Sequence, residues 1–316
     1  MAHLRFFGTK ITAQRHPAAL DEAAFLFSQP TFLAANHPDE LYFFGLVNPN
    51  TGLPAVRCTL VRQGGWLVSP PGASFGTVEF EGAVADHHLR EFLRELLGYA
   101  RRMPVRGVRL VNPPACYAPA SVDRLEALLM SVGFRVEQTT PNHHLLVGDG
   151  PFAGGLHSFE RHRLRKSHRD GFVSRLWHPP DPRQLFAFVR AARQRRGYAM
   201  TLTETQLSDL LGRFPAQAQV FSVWKGDRLA AASVGIRVCR EVLYHFQGAD
   251  HADFLAYSPT VQLVESLYAY CQRQGIAVLD LGTSVSEGVA RFKRRLGAAE
   301  GSRRVFSFAF GEETAS

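Results

Sequence analysis

Forty residues, Ser258 to Gly297, constrain the chain more than any other stretch. They read SPTVQLVESLYAYCQRQG, then IAVLDLGTS, then VSEGVARFKRRLG: a helix, a short strand, a glycine turn and a second, basic helix. Ser258 suits an N-cap, and Pro259 suits the first helical position, where a missing amide costs nothing. Val261, Val264, Leu267, Tyr268 and Cys271 recur at helical spacing, and Gly275 supplies a left-handed stop. Ile276 to Leu281 is too short and too apolar for anything but a buried strand, which the preceding helix connects as a crossover. Asp280 near its end is therefore conspicuous. Gly282 and Thr283 turn the backbone, and Ser284 or Ser286 caps the helix carrying Phe292, Lys293, Arg294 and Arg295. Ligands of open α/β sheets sit beyond the carboxyl ends of such strands.

These residues resemble a known family. A serine-proline helix start, G-x-x-x-x-D-x-G from Gly275 to Gly282 and F-K-x-x-x-G from Phe292 to Gly297 are similar to the C-terminal half of the Fem-type transferases. Those proteins and their acetyltransferase-like relatives are built from two GNAT domains in tandem. Tyr244, in EVLYHFQGAD, matches the family's tyrosine-bearing strand before the helix.

The remainder of the chain agrees in element order. At 316 residues it exceeds what one hydrophobic core ordinarily serves, so two domains are expected. HLRFF reads as a strand, Leu20 to Phe27 as a helix, and Leu41 to Val47 with Ala55 to Val61 as a hairpin joined by NPNTGLP. Trp66 to Ser69, Val108 to Val111 and Phe134 to Thr139 read as strands, with helices at Ala85 to Arg102 and Ser121 to Ser131. Gly148 to Gly155, GDGPFAGG, reads as a joint, giving an N-terminal GNAT-like domain at 1–150 and a C-terminal one at 151–316. The second half then repeats the pattern: helices at His157 to Arg169, Pro182 to Arg196 and Thr203 to Phe214, a meander from Val220 to Gly248, and Arg304 to Phe310 closing its sheet. The fold class expected is α/β with mixed sheets, as two tandem GNAT-like domains.

Charge separates the halves. Lys plus Arg against Asp plus Glu is 13 to 13 through Gly150 and 23 to 15 after it, so only the second half has an electrostatic reason to seek a polyanion. Arg161, Arg163, Arg165, Lys166 and Arg169 crowd one helix, where guanidinium groups repel unless anions or water screen them. Phosphate contact and a solvated helix face both fit that pattern. Four scattered cysteines, without C-x-x-C spacing, indicate neither a metal site nor a disulfide framework. No signal-like or membrane-spanning run is evident, so a cytoplasmic protein is expected. No G-x-S-x-G, H-E-x-x-H, Walker or Rossmann fingerprint is present, which ranks hydrolase, zinc-protease, NTPase and dehydrogenase chemistry lower.

What the resemblance implies is amide formation from an activated donor. GNAT-like domains splay two parallel strands and hold the donor carbonyl in the gap, and here those strands correspond to Tyr244 to Gly248 and Ile276 to Leu281. A good leaving group makes a covalent nucleophile unnecessary; proximity, a site for the oxyanion and a route for the amine proton suffice. Tyr244 can donate to the leaving group, His245 can take the amine proton, Asp280 can orient a base or bond the amides of the Gly282 turn, and Lys293 can stabilise negative charge. Donor contacts are expected from Gln247, Tyr257, Ser258, Gly282, Thr283 and Phe292, with Arg163 and Lys166 on the basic helix. The usual pyrophosphate loop is replaced by GADHADFLAYSPT, which disfavours ordinary coenzyme A binding there and leaves acyl-CoA and aminoacyl-tRNA as alternative donors, neither permanently bound. The acceptor is a small-molecule or peptide amine. SPPGASFGT departs from the family's tyrosine-glycine-glycine loop in the first domain. A different class remains open: a non-catalytic RNA-binding or scaffolding protein that has kept the tandem fold.

Overall fold

The computed structural model describes residues 4–11, 25–36, 41–48 and 53–311. The chain divides into two compact units, Met1–Thr140 with Ser302–Ser316, and Pro141–Gly301. The changeovers fall within strands rather than at Gly148 to Gly155, which lies wholly inside the second unit with Phe152 buried in its core.

In the first unit, β1 (Arg5–Ile11), β2 (Leu41–Val47) and β3 (Pro54–Gln63) form an antiparallel meander. Short α1 (Pro30–Asn36) lies between β1 and β2 in sequence; the helix expected at Leu20 to Phe27 falls partly outside the described residues, and Leu26–Ser28 is a single 3₁₀ turn. Part of the NPNTGLP connection likewise lies outside them. β4 (Trp66–Val68) continues the sheet from β3, and β5 (Glu79–Phe80) pairs with β3. α2 (Asp86–Arg101) buries Leu89, Phe92, Leu93, Leu96, Leu97 and Ala100 against Phe44 and Leu46 of β2. Each such side chain, fully withdrawn from water, contributes roughly 1.5–3 kcal/mol. β6 (Gly107–Val111) runs parallel to β4, and α3 (Pro119–Ser131) adds Leu125, Leu128 and Leu129 to the same core.

The second unit begins within β7 (Arg135–Leu146) and continues through α4 (Phe152–Gly155), α5 (Ser158–Arg169) and β8 (Phe172–Leu176). Then come α6 (Pro182–Arg195), α7 (Glu204–Arg213), β9 (Ala218–Lys225), β10 (Arg228–Cys239) and β11 (Val242–Asp250). Thr203 and Gln206 form the expected reciprocal capping box on α7. α8 (Pro259–Gln274) crosses to β12 (Val278–Thr283), followed by α9 (Glu287–Arg295). β8 to β11 are successively antiparallel, β11 and β12 are parallel, and β12 pairs antiparallel with β7. Val261, Val264 and Leu267 of α8 pack with Leu164, Phe221, Leu243 and Leu279. Gly275 ends α8 in the left-handed conformation as expected, but Ser258 does not cap it with its side chain: the residue is itself left-handed, and only its carbonyl receives Val261 N–H.

β13 (Ala299–Ala309) begins in the second unit and ends in the first. The sequence assigns Arg304 to Phe310 to the second sheet; instead Val305 to Ala309 pair with β6. Gly107 shows how tight that pairing is, because a Cβ there would stand 2.2 Å from the Phe308 carbonyl oxygen and 2.5 Å from the Trp66 ring. Backbone cannot yield as a flexible side chain can, so Gly107→Ala is expected to destabilise the protein by about 3 kcal/mol in chemical denaturation. Gly98→Ala, with open space around it in α2, is expected to stabilise by about 1 kcal/mol.

Candidate active site

β11 and β12 stay in register at Val242–Val278, Leu243–Leu279 and Tyr244–Asp280, and their pairing ends there. Both strands change conformation just beyond that point. On β12, Gly282 has φ 76°, and its α-carbon faces the Tyr244 ring, leaving a would-be Cβ 3.1 Å from it. On β11, two residues separate Phe246 from Ala249 where the facing β10 has only Ser233 between Ala232 and Val234, so an extra residue is accommodated as a bulge. Gln247 sits in that bulge with φ 55°, a conformation that a side-chain-bearing residue adopts at a cost. It is 7% exposed, and both polar atoms of its amide lack a partner among the described residues. A buried amide left unsatisfied is expensive unless a ligand completes it.

Asp280 is 2% exposed, and its Oδ1 accepts from Gly282 N and from Asn142 Nδ2, both at 2.8 Å. Of the two roles the sequence allows it, the turn-bonding role is therefore occupied. Lys293, 8% exposed, turns inward from α9 and donates to the Gly282 and Thr283 carbonyls, each at 2.8 Å. An ammonium has three donors, so one remains for a substrate. Burial pushes the Lys293 pKa down to about 8, with Asp280 opposing the shift. It is therefore mainly a cation at neutral pH. Its neighbours in the sequence behave differently: Arg294 pairs with Glu287 and Glu300, and Arg295 lies 4.0 Å from Glu160.

His245 follows Tyr244 on β11, with its Nε2 shielded from solvent, unpartnered among the described residues and packed over Gly248. Burial, reinforced by Lys293, lowers its pKa to about 4. An imidazole so depressed has little drive to take a proton from an amine, which weakens its assignment as the base. Tyr244 is half-buried, with its ring 5.8 Å from that of Phe246.

The remaining donor candidates divide. Phe292 is half-buried against the core, and Tyr257 stacks near Phe172 with Lys166 Nζ 5.0 Å from its ring centroid. Arg163 lies 4.1 Å above the Phe159 ring and 3.5 Å from Glu160, a carboxylate only 1% exposed. Arg161 is turned toward the backbone, its guanidinium donating to the Ala153 and Leu156 carbonyls at 3.0 and 2.8 Å. Arg165 and Arg169 remain exposed. Arg195 and Arg196, at the end of α6, converge on Asp250.

Sequence reasoning followed β7 only as far as Thr139. Asn142, His143 and His144 stand where this polar, exposed strand becomes buried, and that N-H-H directly before Leu145 was the available signal. His144 stands opposite Asp280 in register, and burial lowers its pKa. His143 is fully buried beside Ser284, which does not cap α9; Ser286 does, accepting from Val289 N.

Among the described residues, no helix is long and apolar enough to cross a membrane, and no cluster of three or more His, Cys, Asp or Glu is arranged to hold a metal ion. Residues 158–294 match the family model of the acetyltransferase (GNAT) domain. No curated protein matches the sequence. Among solved structures, FemX superposes with TM-score 0.68 at 10% identity, covering 96% of this chain and 97% of that one. A tandem GNAT protein from the clavulanic acid biosynthesis pathway gives 0.58 at 11%, covering 98% and 100%. The C-terminal domain of a putative lysylphosphatidylglycerol synthetase from Agrobacterium fabrum gives 0.56 at 12%, covering 82% of each. Residues 158–294 thus match the acetyltransferase (GNAT) domain family, and the chain has the fold of FemX and of the tandem GNAT protein.

Proposed function

We propose that the second unit joins an acyl or aminoacyl group from an activated, phosphate-bearing donor to an amine, in the opening where β11 and β12 part. The observation that carries this reading is the coincidence, at one point, of the end of parallel pairing and the unsatisfied, buried Gln247 amide. A donor's own amide or ester group would supply the missing partners. Lys293 would then offer its remaining N–H to the carbonyl oxygen as negative charge develops, and Tyr244 a proton to the leaving group. Asp280 holds the Gly282 turn that shapes the opening. Arg163 and Lys166 on α5 are the cations assigned to the donor's phosphates. The name of the lysylphosphatidylglycerol synthetase of similar fold supports the aminoacyl branch.

The test is a comparison of acetyl-CoA with a pool of aminoacyl-tRNA as donor, against a panel of small amines and short peptides. Product from either donor supports the reading and selects its branch. Salt-sensitive RNA binding with no product from any donor would instead identify a non-catalytic RNA-binding protein. Gln247→Leu keeps the bulk but removes the amide, and it is expected to raise the donor KM about tenfold with a smaller change in kcat.

A further inference from the structure

The depressed His245 leaves the amine proton without a destination, and the strand on the other side of β12 supplies one. Tyr244 of β11 pairs with Asp280 of β12, and Asp280 pairs with His144 of β7. Residues paired in this way project to one face of a sheet, so the three side chains form a single row across three strands. That row is the last regular one on either side of β12. Toward β11 the pairing ends; toward β7 the next pair is Thr283 with Asn142, so Leu281 and Gly282 stand opposite His143 alone. Asn142 Nδ2 and Gly282 N donate to Asp280 Oδ1, which holds the middle of the row. Neighbouring strands lie about 4.8 Å apart, so Tyr244 and His144 start about 10 Å apart and can approach one reacting centre from opposite sides. His144 is half-buried. Its Nδ1 is shielded and has no partner among the described residues, and Nε2 is neither shielded nor bonded to them. In the Nδ1–H tautomer Nε2 carries the lone pair. Burial lowers the pKa of the ring while Asp280 raises it, and the imidazole is neutral and able to accept a proton at pH 7. The other charged groups near the row are engaged elsewhere: Lys293 of α9 with the Gly282 and Thr283 carbonyls, and Glu300 of β13, near His143, with Arg294.

We infer that His144 is the general base of the transfer, taking the proton of the attacking amine at Nε2 while Tyr244, at the other end of the row, serves the leaving group. The inference rests on the transfer reading given above. The amine lone pair forms the C–N bond to the donor carbonyl carbon, and one N–H proton passes to His144. The bond to the leaving thiol or hydroxyl then breaks, and Tyr244 protonates it. The imidazolium releases its proton to solvent and the phenolate regains one. The sum is donor plus amine giving amide plus free thiol or alcohol, with no oxidant or further reactant. Asp280 is the positioning residue of the row, and its charge favours the imidazolium as it forms.

Rates of wild type and His144→Gln with acetyl-CoA or aminoacyl-tRNA test this, with two acceptors: the most active amine of the panel above, and hydroxylamine. With the amine, His144→Gln is expected to lower kcat about a hundredfold. With hydroxylamine, whose weakly basic nitrogen gives up its proton to water unaided, the loss is expected to be no more than about threefold. Equal losses with both would mark a structural residue and overturn the inference, as would a wild-type rate with the amine. Corrected for the fraction of unprotonated amine, the wild-type kcat/KM is expected to fall on the acid side below pH 6.5, the ordinary histidine value, as His144 takes up a proton. That limb is absent from His144→Gln. In Asp280→Asn it moves to lower pH, because the carboxylate that raises the His144 pKa is gone. This shift is read without altering His144, so a limb that stays in place overturns the inference even where His144→Gln does not fold. Product from wild type with no effect of His144→Gln removes the base and leaves the transfer reading; no product from wild type with any donor and amine removes both.

Discussion

Lys293→Met is expected to lower turnover by about a hundredfold or more in a protein that still folds. The side chain occupies the turn beyond β12 and keeps one N–H beyond the two given to the Gly282 and Thr283 carbonyls. Removing a donor aimed at developing negative charge typically costs two to three powers of ten, on the order of 3–4 kcal/mol. Methionine fills similar space without the charge, so gross repacking is avoided. Stability gives an independent readout. With a folded pKa near 8 against an unfolded value of 10.5, the native state loses its proton first as pH rises. Between those values the unfolded chain binds more protons, so Lys293 makes the protein more stable toward high pH, by about 3 kcal/mol over the window. The buried Cys58 and Cys271 thiols, with raised pKa values, act in the opposite direction. Their effect is common to both proteins, so the informative quantity is the wild-type minus Lys293→Met difference in urea stability from pH 8 to 10. A flat difference would show that Lys293 is not a desolvated cation.

Asp280→Ala is expected to destabilise the protein by about 3 kcal/mol, because it strands the Gly282 N–H and the Asn142 amide and removes a negative charge acting on the buried ammonium. Asp280→Asn separates charge from shape. It retains an acceptor for the Gly282 turn but removes the influence that raises the Lys293 pKa. If the cationic lysine is required, the alkaline limb of the wild-type pH–rate profile falls near pH 8, and in Asp280→Asn it moves to lower pH. An unmoved limb would mean that some other group sets it. Thermal unfolding measured alongside distinguishes loss of fold from loss of charge.

Some parts of this site were legible in the sequence because local chemistry dictated them. Gly275 had to end a helix, Thr203 and Gln206 matched a capping box, and a carboxylate in IAVLDLG had to find donors close by. Lys293 stood out as a lysine among arginines at a matched motif position. Other parts depend on pairing, which sequence does not display. Gln247 is strained only because β11 carries one more residue than β10 opposite it, and nothing in YHFQGAD states that register. His144 joins Tyr244 and Asp280 in one row only after three strands have been paired. Arg161 illustrates the converse: its charge suggested phosphate, but its neighbours are the carbonyls of the preceding turn.

The strand from Ala299 to Ala309 gives this chain an unusual order of assembly. Residues 141–301 are complete before the first unit has its last strand, so a nascent chain emerging from the ribosome can finish its inner portion while Gly107–Val111 still lacks a neighbour on one edge. The amino-terminal half is made first and closed last. Loss of the final fifteen residues would therefore injure the part of the molecule farthest from them in sequence, and a protease clipping there would expose a hydrogen-bonding edge open to another chain.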